Sequence, residues 1–342
     1  MQTTKVEGAR DIETIARDIF KAYLGSERDK DLADAMYRLT ENSARAADAV
    51  GEACVGRLSE GRMLALLGAS GAGKTRALER IFARTVEFGD WQDIDADSPL
   101  ISIKAPSPCT LKQLGIEVLR ALGYPIRRDL KEYVVWELVR ERLQLRKVRY
   151  VHIDELQHVA KKGYVKEAQK VRDTIKSLVQ WPQWPVSVIV SGTPEIATFI
   201  EEDTQIKRRC LIVNFTSLDV DADAAQFAQR LTALVKRKAE LSLGADAITL
   251  SRKVIHAAER QYGTAIEIVQ DATLEALREG TGTVDNGHFA RIFKIRTGCS
   301  EDRNVFTAAD WRDIDVGSSL QLALSDQGRG AERKPNRVRR NG

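Results

Sequence analysis

The sequence predicts a parallel α/β domain followed by an all-helical module. Three observations favour this organisation. Short apolar runs alternate with helical patterns between residues 62 and 215, a glycine-rich loop follows the first of these runs, and the strand patterns stop after Leu218. Strands that alternate with helices form parallel sheets whose two faces are both covered by helices.

Five strands are expected, because five short runs are rich in apolar or β-branched residues. They cover residues 62–67, 98–105, 148–154, 185–192 and 210–215. Apolar residues at helical spacing predict the helices between these strands. The first expected helix follows the glycine-rich loop and ends near Phe88. Three more span residues 110–123, 130–145 and 166–181. Residues 1–60 are predicted to be mostly helical and polar.

Beyond Leu218 the pattern is helical throughout, with predicted helices over residues 222–241, 251–262, 264–280 and 286–295. The expected domains follow from these changes of pattern. They are a helical extension over residues 1–45, the α/β domain over 46–217, the helical module over 218–298 and a C-terminal extension over 299–342.

The composition is that of a soluble globular protein, with 43% hydrophobic and 30% charged residues among 342. It has no apolar run of about 20 residues, the length that a membrane-spanning helix needs. The N-terminus lacks the apolar core of a signal peptide. The four cysteines form no C-x-x-C pair, which argues against a zinc site and favours a reducing compartment. We therefore expect a cytoplasmic protein without a membrane partner.

The formal net charge of +4 is unevenly distributed. The last fifteen residues carry six basic residues and one acidic residue, so the rest of the chain has a net charge of about −1. Any affinity for a polyanion must therefore come from a local basic patch. The tail itself is either a binding segment for nucleic acid or a partner, or a solvated disordered terminus.

Residues 68–75 match the phosphate-binding pattern G-x-x-x-x-G-K-[ST] in full. These residues are Gly68, Ala69, Ser70, Gly71, Ala72, Gly73, Lys74 and Thr75. The glycines allow backbone N–H groups to surround a phosphate at the N-terminus of the next helix. We expect Lys74 to contact the β- and γ-phosphates and Thr75 to coordinate Mg²⁺.

A second motif, YVHIDE, ends the third predicted strand with Asp154 and Glu155. A site of this kind needs a carboxylate that positions the metal on a neighbouring strand, and Asp154 is the candidate. Glu155 is expected to orient the attacking water, which indicates hydrolysis. His152 precedes them, but four scattered histidines favour a core histidine over a metal ligand.

Several classes of nucleotide-binding protein can be set aside. The chain has neither the N-K-x-D element of guanine-specific proteins nor the L-S-G-G-Q signature of ABC proteins. Nucleoside monophosphate kinases are shorter and usually lack the adjacent acid pair. An ATPase with an added helical lid remains.

Four segments, GASGAGKT, VHIDELQH, VSGTPE and QIKRRC, occur in an order and spacing that resembles the AAA+ ATPases of DNA transposition, the TniB/TnsC family. The resemblance covers roughly residues 30–280. It implies a P-loop NTPase of the AAA+ type, with a five-stranded parallel sheet and a small helical lid, that uses ATP and Mg²⁺. The helicase-loader and replication-initiator branch of AAA+ proteins is the close alternative.

The resemblance also implies roles for residues outside the two motifs. Thr193, with Ser191 in reserve, corresponds to the residue that senses the γ-phosphate, although its hydroxyl is equally suited to cap a helix. Arg208 or Arg209 corresponds to an arginine finger that enters a neighbour's ATP site, although a solvated basic turn has the same composition. The lid arginine of many relatives is missing here, with Arg260 the nearest candidate, so slow turnover is expected.

By the same resemblance, the chain forms a homo-oligomeric ring or filament on double-stranded DNA. That assembly recruits a transposase of the DDE integrase type together with a target-selection adaptor protein. Candidate phosphate contacts are Lys112, Arg127, Arg128, Lys161 and Lys162. One alternative is a helicase loader, which often carries a winged-helix module that we do not recognise after Gly298. Another is a signalling ATPase that acts only on proteins.

Overall fold

The computed structural model describes residues 11–51, 59–159 and 165–317, which form two compact units. One unit is Gly25–Thr216, and the other combines Met1–Leu24 with Ser217–Gly342. Among the described residues, no helix has the length and apolar character needed to cross a membrane. The domain limits expected at residues 45, 217 and 298 stay predictions.

The unit Gly25–Thr216 contains seven helices and five strands among its described residues. In chain order these are α2 (Arg28–Asp48), β1 (Met63–Gly68), α3 (Lys74–Arg84), β2 (Leu100–Lys104), α4 (Leu111–Ala121), α5 (Glu132–Leu145), β3 (Tyr150–Asp154), α6 (Val165–Val179), β4 (Ser187–Gly192), α7 (Ile196–Glu201), α8 (Thr204–Lys207) and β5 (Cys210–Phe215).

The five strands form one parallel sheet in the order β2-β3-β4-β1-β5, which confirms the predicted sheet. All six residues of β1 and all six of β4 are buried, so both faces of these central strands are covered. Because the strands are parallel, their carboxyl ends lie along one edge of the sheet. The loop after β1 and the ends of β3 and β4 therefore lie near each other.

Helix α3 covers the face of the sheet that carries His152. Phe82, in the last turns of α3, is 1% exposed, and its ring meets the edge of the His152 ring with the centroids 5.2 Å apart. Phe82 also packs on Phe88, with a centroid separation of 5.8 Å. These contacts hold α3, and therefore the loop that precedes it, against β3.

The second unit contains α1 (Ile12–Lys21), α9 (Ala224–Lys238), α10 (Ala247–Ala257), α11 (Tyr262–Glu279) and α12 (Asn286–Thr297). Two strands of two residues each, β6 (Ser242–Leu243) and β7 (Thr283–Val284), pair in parallel. The sequence did not predict this pair, because two residues are too few to show a strand pattern.

Helix α1 belongs to the core of this second unit. Ile19 is fully buried, and its carbonyl accepts a hydrogen bond of 2.8 Å from the Gln270 side chain of α11. The Tyr262 hydroxyl donates to the Leu24 carbonyl, also at 2.8 Å. The N-terminal helix therefore packs with helices that lie more than 200 residues later in the chain.

Candidate nucleotide-binding site

The predicted phosphate loop connects the end of β1 to the start of α3. Gly71 and Gly73 have φ angles of +78° and +90°, which only glycine adopts without strain. Gly68 lies close to β5, since a Cβ added there would be 2.8 Å from the Phe215 carbonyl oxygen. The loop therefore uses its glycines to turn tightly and to bring backbone close to backbone.

Lys74, the first residue of α3, is 7% exposed. Its ammonium donates to the carbonyl oxygens of Gly68 and Ala69 at 2.7 and 2.9 Å, so it lies inside the loop. Burial lowers the pKa of Lys74, and the negative charges of Glu155 and Asp154 oppose this effect. A buried cation surrounded by loop carbonyls is well placed to contact phosphate oxygens.

Thr75 and Asp154 are in contact although they are 79 residues apart in the sequence. The Thr75 hydroxyl donates to Asp154 Oδ2 at 3.1 Å. The strand that carries Asp154 is not a neighbour of β1 as expected, because β4 lies between β1 and β3. This expectation was wrong, since strand order depends on tertiary packing. Asp154 reaches the loop across the end of β4.

A hydroxyl and a carboxylate are oxygen ligands of the kind that Mg²⁺ prefers. Thr75 and Asp154 place two such oxygens together beside the phosphate loop, on the side where Lys74 contributes a positive charge. The donor set therefore fits a magnesium ion bound together with nucleotide phosphates.

Glu155 follows β3 in a left-handed backbone conformation, with φ 58° and ψ 35°. Its carboxylate accepts a hydrogen bond of 2.5 Å from the Gln157 side-chain amide. The side-chain oxygen of Gln157, Oε1, accepts a hydrogen bond of 3.2 Å from the backbone N–H of Thr193. The motif pattern alone does not predict a separate role for Gln157, although it lies two residues after Glu155 in the IDE-x-Q segment.

Ser191, rather than Thr193, has the hydroxyl that contacts the acid pair. Ser191 Oγ donates to Asp154 Oδ1 at 2.5 Å and lies 2.9 Å from His152 Nε2. The Thr193 side chain lies beside the Glu195 carboxylate, whose pKa it lowers. Thr193 reaches the site through its backbone N–H, so its predicted role in sensing phosphate stays a prediction.

His152 is buried between two hydroxyls. Its Nδ1 lies 2.8 Å from Ser102 Oγ on β2, and its Nε2 contacts Ser191 on β4. Burial lowers the pKa of His152 to about 4, and the Asp154 carboxylate opposes this effect. The ring is therefore neutral at pH 7, which agrees with the interpretation of His152 as a core histidine.

The two arginines predicted to supply a finger lie between α8 and the start of β5, and their surroundings differ. Arg209 forms a bidentate ion pair with Glu60, at 2.7 Å through Nε and 3.0 Å through Nη2. Arg208 is exposed and makes no ion pair with any residue in the described ranges. Of these two arginines, therefore, only Arg208 has an exposed guanidinium that forms no ion pair within the described residues.

Both arginines lie where the parallel strands begin, whereas the phosphate loop of the same chain lies where the strands end. Cys210 pairs with Met63 at the start of β1, whereas the loop follows Gly68 at its end. A strand rises about 3.3 Å per residue, so six residues separate the two edges by about 17 Å. Neither arginine can act on a nucleotide bound to its own loop.

The predicted DNA contacts are only partly described. Lys112 on α4 forms an ion pair of 2.5 Å with Asp129, which lies in the loop between α4 and α5. Arg127 and Arg128 are exposed in that loop. Lys161 and Lys162 lie outside the described residues, as does the basic tail. All five stay predictions.

Residues 42–217 match the family described as "Bacterial TniB protein". This segment is more than half of the chain. The chain belongs to the TniB family. The resemblance noted from its motifs is thereby confirmed. No curated protein matches the sequence.

Solved structures show that this TniB family member has the AAA+ P-loop fold. The Aeropyrum pernix ORC1 protein in complex with DNA is 18% identical with a TM-score of 0.53, over 84% of this chain and 70% of that one. The Aeropyrum pernix ORC2 protein in its ADPNP-ADP complexes is 14% identical with a TM-score of 0.55, over 81% and 71%. Cdc6p from Pyrobaculum aerophilum is 14% identical with a TM-score of 0.53, over 91% and 84%.

Proposed function

We propose that this TniB family member is an ATP hydrolase that assembles on double-stranded DNA in its ATP-bound form. The assembly presents its DNA to a transposase of the DDE integrase type and to a target-selection adaptor protein. The observation that supports the enzymatic part is the contact between Thr75 and Asp154, with Glu155 next in the chain. Family membership supports the transposition part.

Each residue of the candidate site has a role in this proposal. Backbone N–H groups of Gly68–Thr75 and the Lys74 ammonium bind the phosphates. Thr75 and Asp154 hold Mg²⁺, which when bound neutralises charge on the phosphate oxygens. Glu155 accepts a proton from the attacking water or orients it, and Thr193 detects the γ-phosphate through the loop after β4.

The ATP site is completed by a neighbouring subunit. Arg208 is exposed at the edge of the sheet away from its own phosphate loop. A neighbour in a ring or filament brings its Arg208 to the phosphates, where a guanidinium stabilises the charge of the transition state. Hydrolysis therefore requires assembly.

The DNA contact is proposed to be electrostatic and independent of sequence. The ORC1 protein, which shares the fold, was solved in complex with DNA. Arg127, Arg128 and Lys112, together with Lys161 and Lys162, are the candidate phosphate contacts. Affinity for DNA should then fall steeply as salt rises, with a slope that decreases when these residues are replaced.

Electron microscopy of the purified protein with random-sequence duplex DNA tests the proposal. Ordered rings or filaments on DNA are expected with a slowly hydrolysed ATP analogue and not with ADP. Lys74→Ala should abolish nucleotide binding and assembly, whereas Lys236→Ala, an exposed lysine of α9, should change neither. Normal ATP affinity in Lys74→Ala would contradict the assigned ATP site.

A replication initiator or helicase loader is the second candidate, favoured by the structural similarity to ORC1 and Cdc6p. A pull-down from the ATP-bound protein on DNA separates the two. Recovery of a transposase supports the first candidate, and recovery of a hexameric helicase supports the second. An ATPase that neither binds DNA nor is stimulated by it would instead act on proteins.

A further inference from the structure

A row of polar side chains crosses three strands beneath the candidate metal site. Ser102 on β2 and His152 on β3 are register partners, and Ser191 on β4 lies on the same face. Successive contacts measure 2.8 Å from Ser102 to His152, 2.9 Å from His152 to Ser191 and 2.5 Å from Ser191 to Asp154. His152 is 3% exposed and Ser191 is fully buried, so water does not compete for these contacts.

The donors and acceptors in this row can be assigned by counting hydrogens. A carboxylate can only accept hydrogen bonds, so Ser191 must donate its single hydroxyl hydrogen to Asp154. Ser191 can therefore contact His152 only as an acceptor, and His152 Nε2 carries the hydrogen that it donates. This direction follows from the hydroxyl alone and is the same whatever the charge of the ring. In the neutral ring, Nδ1 accepts from the Ser102 hydroxyl.

The two carboxylate oxygens of Asp154 have different hydrogen-bond partners. Oδ1 accepts from Ser191 and from the Glu155 backbone N–H at 3.0 Å, while Oδ2 accepts from Thr75. Because Oδ1 is held on the sheet side, Oδ2 is turned toward the helix that carries Thr75. The orientation of the carboxylate therefore depends on Ser191 keeping its rotamer.

We propose that His152 is a positioning residue that holds Ser191, and through it Asp154, in the orientation that binds Mg²⁺. The inference rests on the proposed function, because it concerns the same metal site. A buried hydroxyl that loses a hydrogen-bond donor is free to turn toward another partner, and Asp154 then loses its fixed direction. Replacement of residues that orient metal ligands typically weakens metal binding by about 10- to 100-fold.

Two variants of the full chain separate positioning from packing. The amide of Gln in His152→Gln reaches the place of Nε2 and can still donate to Ser191. The shorter amide in His152→Asn lies near the place of Nδ1 and can bond only toward Ser102. The measurement is the Kd of a fluorescent ATP analogue with Mg²⁺ and with EDTA, whose ratio reports metal binding separately from nucleotide binding.

The tightening that Mg²⁺ gives is the ratio of the Kd in EDTA to the Kd with Mg²⁺. We expect this ratio to fall about tenfold or more in His152→Asn, with the Kd in EDTA unchanged. His152→Gln should keep most of that tightening. Ser191→Ala should behave like His152→Asn, and adding it to His152→Asn should cause no further loss. If the histidine variants do not fold, a wild-type ratio in Ser191→Ala still overturns the proposal, because His152 acts through Ser191.

Wild-type tightening in His152→Asn or in Ser191→Ala would overturn the positioning role, because the proposed effect passes through both residues. So would equal weakening with Mg²⁺ and with EDTA, because that result indicates a general packing defect. A wild-type chain that binds no nucleotide under either condition would overturn the proposed ATP site itself, and with it this inference.

Discussion

The side chain of Gln157 donates a hydrogen bond of 2.5 Å to the carboxylate of Glu155, two residues earlier in the chain. The left-handed backbone of Glu155 costs about 1–2 kcal/mol for a residue other than glycine. A hydrogen bond to a charged group contributes about 1.5–3 kcal/mol, which is enough to offset that cost. Because Gln157 also binds the Thr193 N–H, the residue proposed to orient water is tied to the loop proposed to sense phosphate.

Gly192 should not tolerate a side chain, because Gln157 occupies the space beside it. A Cβ at Gly192 would collide with the Gln157 carboxamide oxygen and lie 2.6 Å from Ile196 Cδ1. We expect Gly192→Ala to destabilise the protein by about 1–3 kcal/mol, as crowding in a packed region does. Thermal unfolding of the wild type and the variant measures this loss.

The double variant Gly192→Ala with Gln157→Ala provides the control. Removing the Gln157 carboxamide removes the closest collision but leaves the contact with Ile196 and the φ of +158°, so the double variant should lose less stability than the sum of the single losses. Strictly additive losses would show that the two side chains do not compete for this space.

The phosphate loop and the five strands could be predicted because their patterns are local in the sequence. Gly68–Thr75 and the run ending at Asp154 each lie within eight residues. The position of β4 between β1 and β3 could not be predicted, since no local pattern encodes strand order. The same holds for the contact of Ser191 with Asp154 and for the ion pair of Arg209 with Glu60, which join residues 37 and 149 positions apart.

Glu155→Gln should bind ATP normally and hydrolyse it slowly. The glutamine oxygen can still accept from Gln157, so the local structure is expected to persist, but the side chain can no longer act as a base. A general base contributes about 10²- to 10⁴-fold to the rate. Single-turnover hydrolysis measures the loss, and electron microscopy should show a persistent ATP-bound assembly on DNA.

The matched control for this variant is Glu201→Gln, which neutralises an exposed carboxylate on α7. It should leave the single-turnover rate unchanged. A rate in Glu155→Gln within about twofold of the wild type would remove Glu155 from the hydrolytic step.

Arg208 and Arg209 should fail in different ways when each is replaced by alanine. Arg208→Ala removes the exposed guanidinium and should lower turnover of the assembled protein by about 10³-fold or more, with stability unchanged. Arg209→Ala removes the ion pair of the half-buried Glu60 carboxylate but keeps its hydrogen bond of 3.2 Å from the Gln180 amide, and should cost about 1–3 kcal/mol. Steady-state ATPase and thermal unfolding of both variants make the comparison.

Mixing two inactive variants tests whether Arg208 acts on a neighbour's site. Glu155→Gln inactivates the site of its own chain but is expected to bind ATP and to assemble, whereas Arg208→Ala would inactivate the site of the adjacent chain. A mixed assembly then contains some interfaces with both residues intact, so partial ATPase activity should return. No recovery in assemblies shown to contain both variants would contradict a finger supplied by the neighbour.

Acid should weaken the pair of Glu60 and Arg209 in a predictable direction. The hydrogen bonds from Arg209 hold the pKa of Glu60 below its usual range. The unfolded chain, in which a glutamate has a pKa of about 4.3, therefore binds a proton more readily than the folded chain. The stability that the pair contributes is fully present above that pH and is lost as the pH falls through the folded pKa of Glu60.

Thermal unfolding of the wild type and of Arg209→Ala tests this pH dependence. At pH 7 the wild type should have the higher Tm, and the difference in Tm should decrease progressively below about pH 4.3. A difference that stays constant down to the lowest pH at which both proteins fold would show that Arg209 stabilises the unit by packing and not through the charge of Glu60.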